Sequence, residues 1–240
     1  MAKALYSNLA EICHLFYKQY FPHAKIAARL DKILKAHGCK KIVFIGGLIY
    51  VADILRRKGY QITFVDCTQE MLDEARPVLG AVPMVLGDMR HLSLPGTYDA
   101  ILAIGRSFTY MYNDQDAVKT LSVFRRHLRP AGLVIIDNYE TGRIDKGNYF
   151  SGAIKTKRKN IAIKRISSIR RKRKTPALYV WDCVYERITG ARSSRYVDKG
   201  HLLRSFSKTE VEKLIRKSEL DFISHYPNFE KRSFVTVARK

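Results

Sequence analysis

From Lys41 to Asp137 short apolar runs alternate with helical stripes: KKIVFI, a helix to Lys58, QITFV, a helix from Thr68, VPMV, YDAILAI, a helix to Leu128, then LVIID. No other feature restricts the fold as much. Strands that alternate with helices pair in parallel, and the helices cover both faces of their sheet. Such sheets receive ligands at the carboxyl ends of their strands.

The flanks read differently. Residues 4 to 37 carry a helical stripe (Leu5, Leu9, Ile12, Leu15, Phe16), interrupted at Pro22 and resumed by Ile26, Leu30, Ile33 and Leu34, with Gly38 as the stop. After Glu140 the chain turns to basic loops and β-like runs, ALYVWDCVYERI and SSRYVDKGHLLRSF. Ser207 with Glu210 three positions on predicts a capping box opening a last helix. LDFISHY and SFVTVAR then fit an antiparallel pair at the sheet edge.

Composition narrows the partners. With 44 Lys and Arg against 22 Asp and Glu, the chain has a formal charge of +22. A charge of that size favours anionic partners, nucleic acid among them. Eleven of the basic residues fall between Lys155 and Lys174, and no acid stands between Asp145 and Asp182. Alternation at Ile161 and Ile163 that lapses before Ile166 and Ile169 predicts a hairpin tipped by RRKRK. This basic run is a candidate phosphate-contacting surface, beside the aromatic Tyr149, Phe150, Tyr179, Trp181 and Tyr185. The plainer expectation is that Trp181 and its neighbours form a small core. Cys13, Cys39, Cys67 and Cys183 include no C-x-x-C pair, and no His is spaced with them for zinc. No apolar run reaches the ~18 residues of a membrane span, and Glu11 and Lys18 interrupt any leader-like stretch, so a reducing, cytoplasmic protein without bound metal is expected.

The strand ends supply the candidate chemistry. Asp66 ends the second strand, where a carboxylate accepts both hydroxyls of a ribose; alternatively it caps the next helix, although Thr68 stands better for that. Asp88 in Gly87-Asp88-Met89-Arg90 is placed for an adenine amino group with Met89 on the ring, or it forms an ordinary Gly-Asp turn. The fourth helix ends in FRRHLRPAG, and the fifth strand exits into Asp137-Asn138-Tyr139.

FVDCTQEMLDEAR, GDMRHLSLPGTYDAILAI, FRRHLRPAGLVIID and LLRSFSKTEVEKLIRKSEL together resemble the successive motifs of class I S-adenosylmethionine-dependent methyltransferases. Within that superfamily they are most similar to small-molecule N-methyltransferases, notably sugar N,N-dimethyltransferases, which carry a β insert before the last helix. The resemblance implies a Rossmann-like, mostly parallel seven-stranded sheet with an antiparallel edge, an N-terminal helical cap over 1–40, a core over 41–144 and 206–240, and an inserted β-rich lid over 145–205. It implies S-adenosylmethionine as cofactor, with Gly46, Gly47, Asp66, Cys67, Asp88, Met89, Ala103 and Ile104 around it. Ser107, Tyr110 and Tyr139 would meet the substrate. Tyr17 and His127 would flank the acceptor amine, where positioning dominates and a partial general base suffices. On their own residues, Tyr17 also reads as a core aromatic and His127 as a helix C-terminal cation.

The cofactor loop departs from the family pattern acid-x-G-x-G-x-G. Laid without gaps, Val43 replaces the acid, Ile45 the first glycine and Ile49 the last, and only Gly47 stays in place; sliding to Gly46 recovers a second glycine but no acid. Branched Ile45 and Ile49 are expected to narrow the approach to the methionine half of the ligand. Two readings follow: N-methylation of a small or anionic substrate, or a non-catalytic module that binds nucleic acid or a protein through its basic lid. An RNA methyltransferase suits the charge, but AIGRSF stands where an N-P-P-Y-type tetrapeptide would follow the fourth strand.

Overall fold

A computed structural model describes residues 6–144 and 152–240. Tyr149, Phe150 and Leu5 lie outside the described residues. Helices α1 (Ala10–Tyr20) and α2 (His23–Ala36) are separated at Pro22, the N-cap of α2. Gly38 turns the chain out of α2 at φ +63°, a conformation that costs glycine nothing. The first helix starts later than its stripe implies, because Leu9 has a non-helical backbone as the N-cap of α1.

The alternating region folds as β1 (Lys41–Ile45), α3 (Ile49–Arg57), β2 (Gln61–Asp66), α4 (Gln69–Leu79), β3 (Met84–Leu86), β4 (Tyr98–Ala103), α5 (Asp114–His127) and β5 (Leu128–Tyr139). After the short α6 (Thr141–Ile144) come β6 (Gly152–Arg158), β7 (Ile161–Arg173), β8 (Leu178–Thr189) and β9 (Arg192–Arg204). Helix α7 (Lys208–Lys217), β10 (Asp221–Pro227) and β11 (Ser233–Arg239) close the chain. Both halves of the capping box form at α7: Glu210 N donates to Ser207 Oγ (3.1 Å) and Ser207 N donates to Glu210 Oε2 (2.7 Å).

One sheet has seven strands in the order β10-β11-β5-β4-β1-β2-β3, and the other has four in the order β6-β7-β8-β9. In the first, β1 pairs in parallel with β2 and β4, whereas β11 runs antiparallel to β5 and β10. Side chains alternate across this sheet into two cores. Phe44, Phe64, Leu102 and Ile135 join the core with α2, α3 and α4; Val43, Val65, Ile101 and Val134 join the core with α5 and α7.

The four-stranded sheet buries its own face. Ile163, Trp181, Cys183, Tyr185 and Leu203 form a third core with Ile12, Cys13 and Phe16 of α1. The core that contains Trp181 is therefore shared with α1 and is not confined to the sheet. The basic run is placed differently from its reading as a tip: Arg170 to Arg173 are residues of β7 itself, and only Lys174 begins the turn. Period-two burial runs on through Ile163, Arg165 and Ser167, with Ile166 and Ser168 exposed between and beyond them. An inward arginine disguised that alternation.

Candidate functional site

The parallel strands deliver their carboxyl ends to one edge. Ile45 pairs with Val65 and Ala103, so the turns after β1, β2 and β4 emerge side by side. After β1, Gly46 and Gly47 adopt φ +76° and +23°, and Gly46 N donates to Val65 O (2.8 Å). A Cβ on Gly46 would stand 2.4 Å from Ser107 Oγ, so glycine is required where this loop meets the turn after β4. Ser107 Oγ itself donates to Ile45 O at 3.4 Å.

Ile45 and Ile49 do not close the loop as expected. They are buried in the cores on opposite sides of the sheet. The side chain that packs against the β4 turn is the fully buried Leu48: a Cβ on Gly105 would stand 3.0 Å from its Cγ. Ala103 and Ile104 are likewise core residues, leaving only backbone to face a ligand.

Asp66 occupies the tip of β2. Its Oδ1 accepts from both Thr68 N and Thr68 Oγ1 (3.0 Å each), so Asp66 rather than the Thr68 side chain ties down the start of α4. No cation pairs with it among the described residues, and burial pushes its carboxyl up to about 6. A buried carboxylate without a cation suits hydroxyl donors from a ligand. Asp88 is different: Arg90 engages both of its oxygens, and this pairing holds its carboxyl below the usual range. Met89 packs at the margin of the α5 and α7 core, and Cys67 is exposed beside Asp66.

Over this edge lies an aromatic cavity of about 50 Å³ between α1, the turn Ser107–Tyr110 and the four-stranded sheet. Tyr17, Tyr110 and Tyr139 line it, with Tyr6, Arg106, Arg165 and Trp181. A Cβ on Gly47 would be 3.7 Å from Cε2 of Tyr17, which puts that ring on the β1 loop. From Tyr17 a chain of hydroxyls runs to the other sheet. Tyr17 Oη and Tyr6 Oη are 3.1 Å apart, and Tyr110 Oη donates to Tyr6 Oη at 2.8 Å. Tyr110 Oη lies 3.0 Å from His201 Nε2, and His201 Nδ1 lies 3.1 Å from Asp198 Oδ2. Burial raises the phenols of Tyr6, Tyr17, Tyr110 and Tyr139, so these hydroxyls stay protonated at neutral pH.

His127 does not join them. It ends α5 immediately before Leu128, which pairs with Tyr98 at the amino ends of β5 and β4, opposite the edge that carries Asp66. Its Nε2 is spent on Leu92 O at 3.1 Å. The motif that carries His127 belongs to the turn entering a strand, and ligands gather where strands exit.

Sequence reasoning missed Tyr6, His201, Asp198, Arg106 and Arg165. Arg106 leaves β4 at φ +67°, and its backbone N donates to Asp137 Oδ1 (2.6 Å). Its guanidinium pairs with Glu230 and lies 4.7 Å from the Tyr139 ring centroid and 4.8 Å from that of Phe229. Asp137 is fully buried, and burial raises its carboxyl against the pull of Arg106. For His201 and Arg165 a signal existed: each is a polar residue at an inward position of an alternating strand.

Residues 46–132 match the family described as methyltransferase domain. The chain is 37% identical over 101 residues to glycine/sarcosine N-methyltransferase of Halorhodospira halochloris, an alignment spanning 39% of this chain and 37% of that protein. With the enzyme of the same name from Aphanothece halophytica it shares 30% over 118 residues, 45% and 44% of the two chains. The chain thus spans less than half the length of these curated relatives. Among solved structures, Streptomyces venezuelae DesVI superposes with a TM-score of 0.84 at 18% identity, covering 95% of this chain and 97% of the other. The SAM-bound amino pentose methyltransferase CalS10 of Micromonospora echinaspora gives 0.79 at 16%, covering 96% of each. No helix among the described residues is long and apolar enough to cross a membrane.

Proposed function

We propose that the chain, whose residues 46–132 match a methyltransferase domain and whose fold is that of S-adenosylmethionine-dependent methyltransferases, transfers a methyl group to the amine of a small molecule. The observation that carries the reading is the contact of Tyr17 with Gly47, which sets an aromatic, hydroxyl-lined cavity directly on the β1 loop. Asp66 would hold the ribose of S-adenosylmethionine, Gly46 and Gly47 would turn the backbone past it, and Met89 would border the adenine. The cofactor supplies an electrophilic methyl group on a sulfonium.

The acceptor needs a neutral amine aligned with that methyl, so the chain's task is orientation, exclusion of water and receipt of one proton. The phenol oxygens of Tyr17 and Tyr110 would accept from the amine N–H groups and fix its direction, which leaves the nitrogen lone pair free for the methyl group. A proton released there would pass through Tyr6 and Tyr110 to His201, which Asp198 faces, once the Tyr110 hydroxyl turns its proton from Tyr6 to His201 Nε2. His201 takes the place that the sequence assigned to His127. The similarity to glycine/sarcosine N-methyltransferases and to an amino pentose methyltransferase supports an amine acceptor.

Calorimetric titration with S-adenosylmethionine and S-adenosylhomocysteine, on wild type and Asp66→Ala, tests the reading. Saturable binding that the variant loses supports it, and no binding at millimolar cofactor sinks it. One observation favours the non-catalytic reading: Leu48 packs under Gly105, on the side where the methionine moiety would lie. The same null titration would promote that reading. Binding to nucleic acid through the exposed Arg170, Lys172 and Lys174 would then have to weaken steeply with salt.

A further inference from the structure

Two buried arginines line the aromatic cavity, in opposite electrostatic situations. Arg106 pairs with Glu230. Arg165, 7% exposed, has no carboxylate partner among the described residues, and its Nε is buried without an acceptor. Its neighbours are rings: its guanidinium carbon lies 4.8 Å from the centroid of Phe16, 5.3 Å from Trp181 and 5.9 Å from Tyr20. Stacking on rings offsets only a part of what it costs to bury a cation. The other titratable groups of the cavity supply no counter-charge, because burial keeps the phenols of Tyr6, Tyr17, Tyr110 and Tyr139 protonated. Stacking occupies the faces of a guanidinium and leaves its N–H edge for a planar acceptor.

We propose that Arg165 is an anchor for a carboxylate carried by the methyl acceptor, so that this site takes amino acids or related amino-carboxylates rather than simple amines. The inference rests on the methyltransferase reading for the fate of the amine, but not for the anchor itself. Tyr17, at the β1 loop, and Arg165, on β7, line the same cavity and would hold the two ends of one small acceptor. A cavity of about 50 Å³ admits a carboxylate-sized group and excludes a nucleotide.

The test compares glycine, β-alanine and 4-aminobenzoate with the corresponding carboxamides, which lack the carboxylate. Each is titrated by calorimetry into the full chain, with and without S-adenosylhomocysteine. At least one acid is expected to bind tenfold or more tighter than its amide. Arg165→Met should erase that preference, and Arg165→Lys should keep part of it. Because the native cation is unpaired, Arg165→Met is expected to melt no lower than wild type. Equal binding of acid and amide in every pair overturns the anchor, as does a preference that survives Arg165→Met. If Arg165→Met fails to fold, Arg165→Lys decides: an acid preference unchanged from wild type overturns the proposal. Titration of S-adenosylhomocysteine alone reports separately on the methyltransferase reading, so either can fail without the other.

Discussion

Tyr110 Oη and His201 Nε2, 3.0 Å apart, join the turn after β4 to strand β9 and so couple the parallel sheet to the four-stranded one. Tyr110 also reaches Tyr6 and, through it, Tyr17 on α1. Three separate parts of the chain meet in one run of hydrogen bonds. Replacing His201 by Gln should lower turnover about 10²-fold while leaving S-adenosylhomocysteine affinity within a factor of about two, as removal of a positioned proton acceptor does. Tyr110→Phe should follow in direction. Single-turnover kinetics beside calorimetry separate the two quantities.

Asp66 carries opposite consequences for binding and for stability. Its carboxyl titrates near 6 when folded, above the ordinary range, because burial disfavours its charge. The folded state therefore binds the proton more tightly than the unfolded chain. Its contribution is favourable below about pH 4 and is lost as pH rises through 6, a swing of roughly 3 kcal/mol for a two-unit shift. Asp66→Asn should melt higher than wild type at pH 8 and equal to it near pH 4. The same variant should bind S-adenosylhomocysteine about tenfold or more weakly.

Leu48→Ala addresses the turn after β1. The side chain is fully buried and lies under Gly105, so the truncation should cost about 2–4 kcal/mol in denaturant unfolding. If Leu48 restricts the methionine side of the site, the same change raises affinity for S-adenosylhomocysteine several-fold. An unchanged affinity would show that the loop does not need to open there.

His127→Ala should behave as a surface substitution. The lost contact is one hydrogen bond to Leu92 O, worth about 1 kcal/mol. Turnover should stay within a factor of about two of wild type. A hundredfold loss in a steady-state assay would return His127 to the catalytic machinery.

Much of the fold is legible because period and punctuation are local. The α/β alternation, Gly38 after α2, the Ser207–Glu210 capping box and the antiparallel edge pair each depend on residues close in sequence. The strand-end acid Asp66 is legible for the same reason, since one strand and one turn determine its place. His127 misled because a sequence motif records neighbours along the chain and not which end of a sheet they occupy. In the sequence Arg165 is one charge among the eleven basic residues of the run. Only its ring partners on α1 and β8 distinguish it from a solvated lysine.

The sequence by itself determined the order of strands and helices, the exit of Asp66 at a strand end and the excess of positive charge. These follow from short-range sterics, apolar periodicity and composition. The tertiary structure alone decided that Tyr17, Tyr110 and His201 form one chain, that Leu48 and not Ile45 or Ile49 closes on the β4 turn, and that Arg165 is buried without a carboxylate. Each of these joins residues from elements far apart in sequence. Their contact energies depend on how whole sheets and helices pack, and no local pattern encodes that packing.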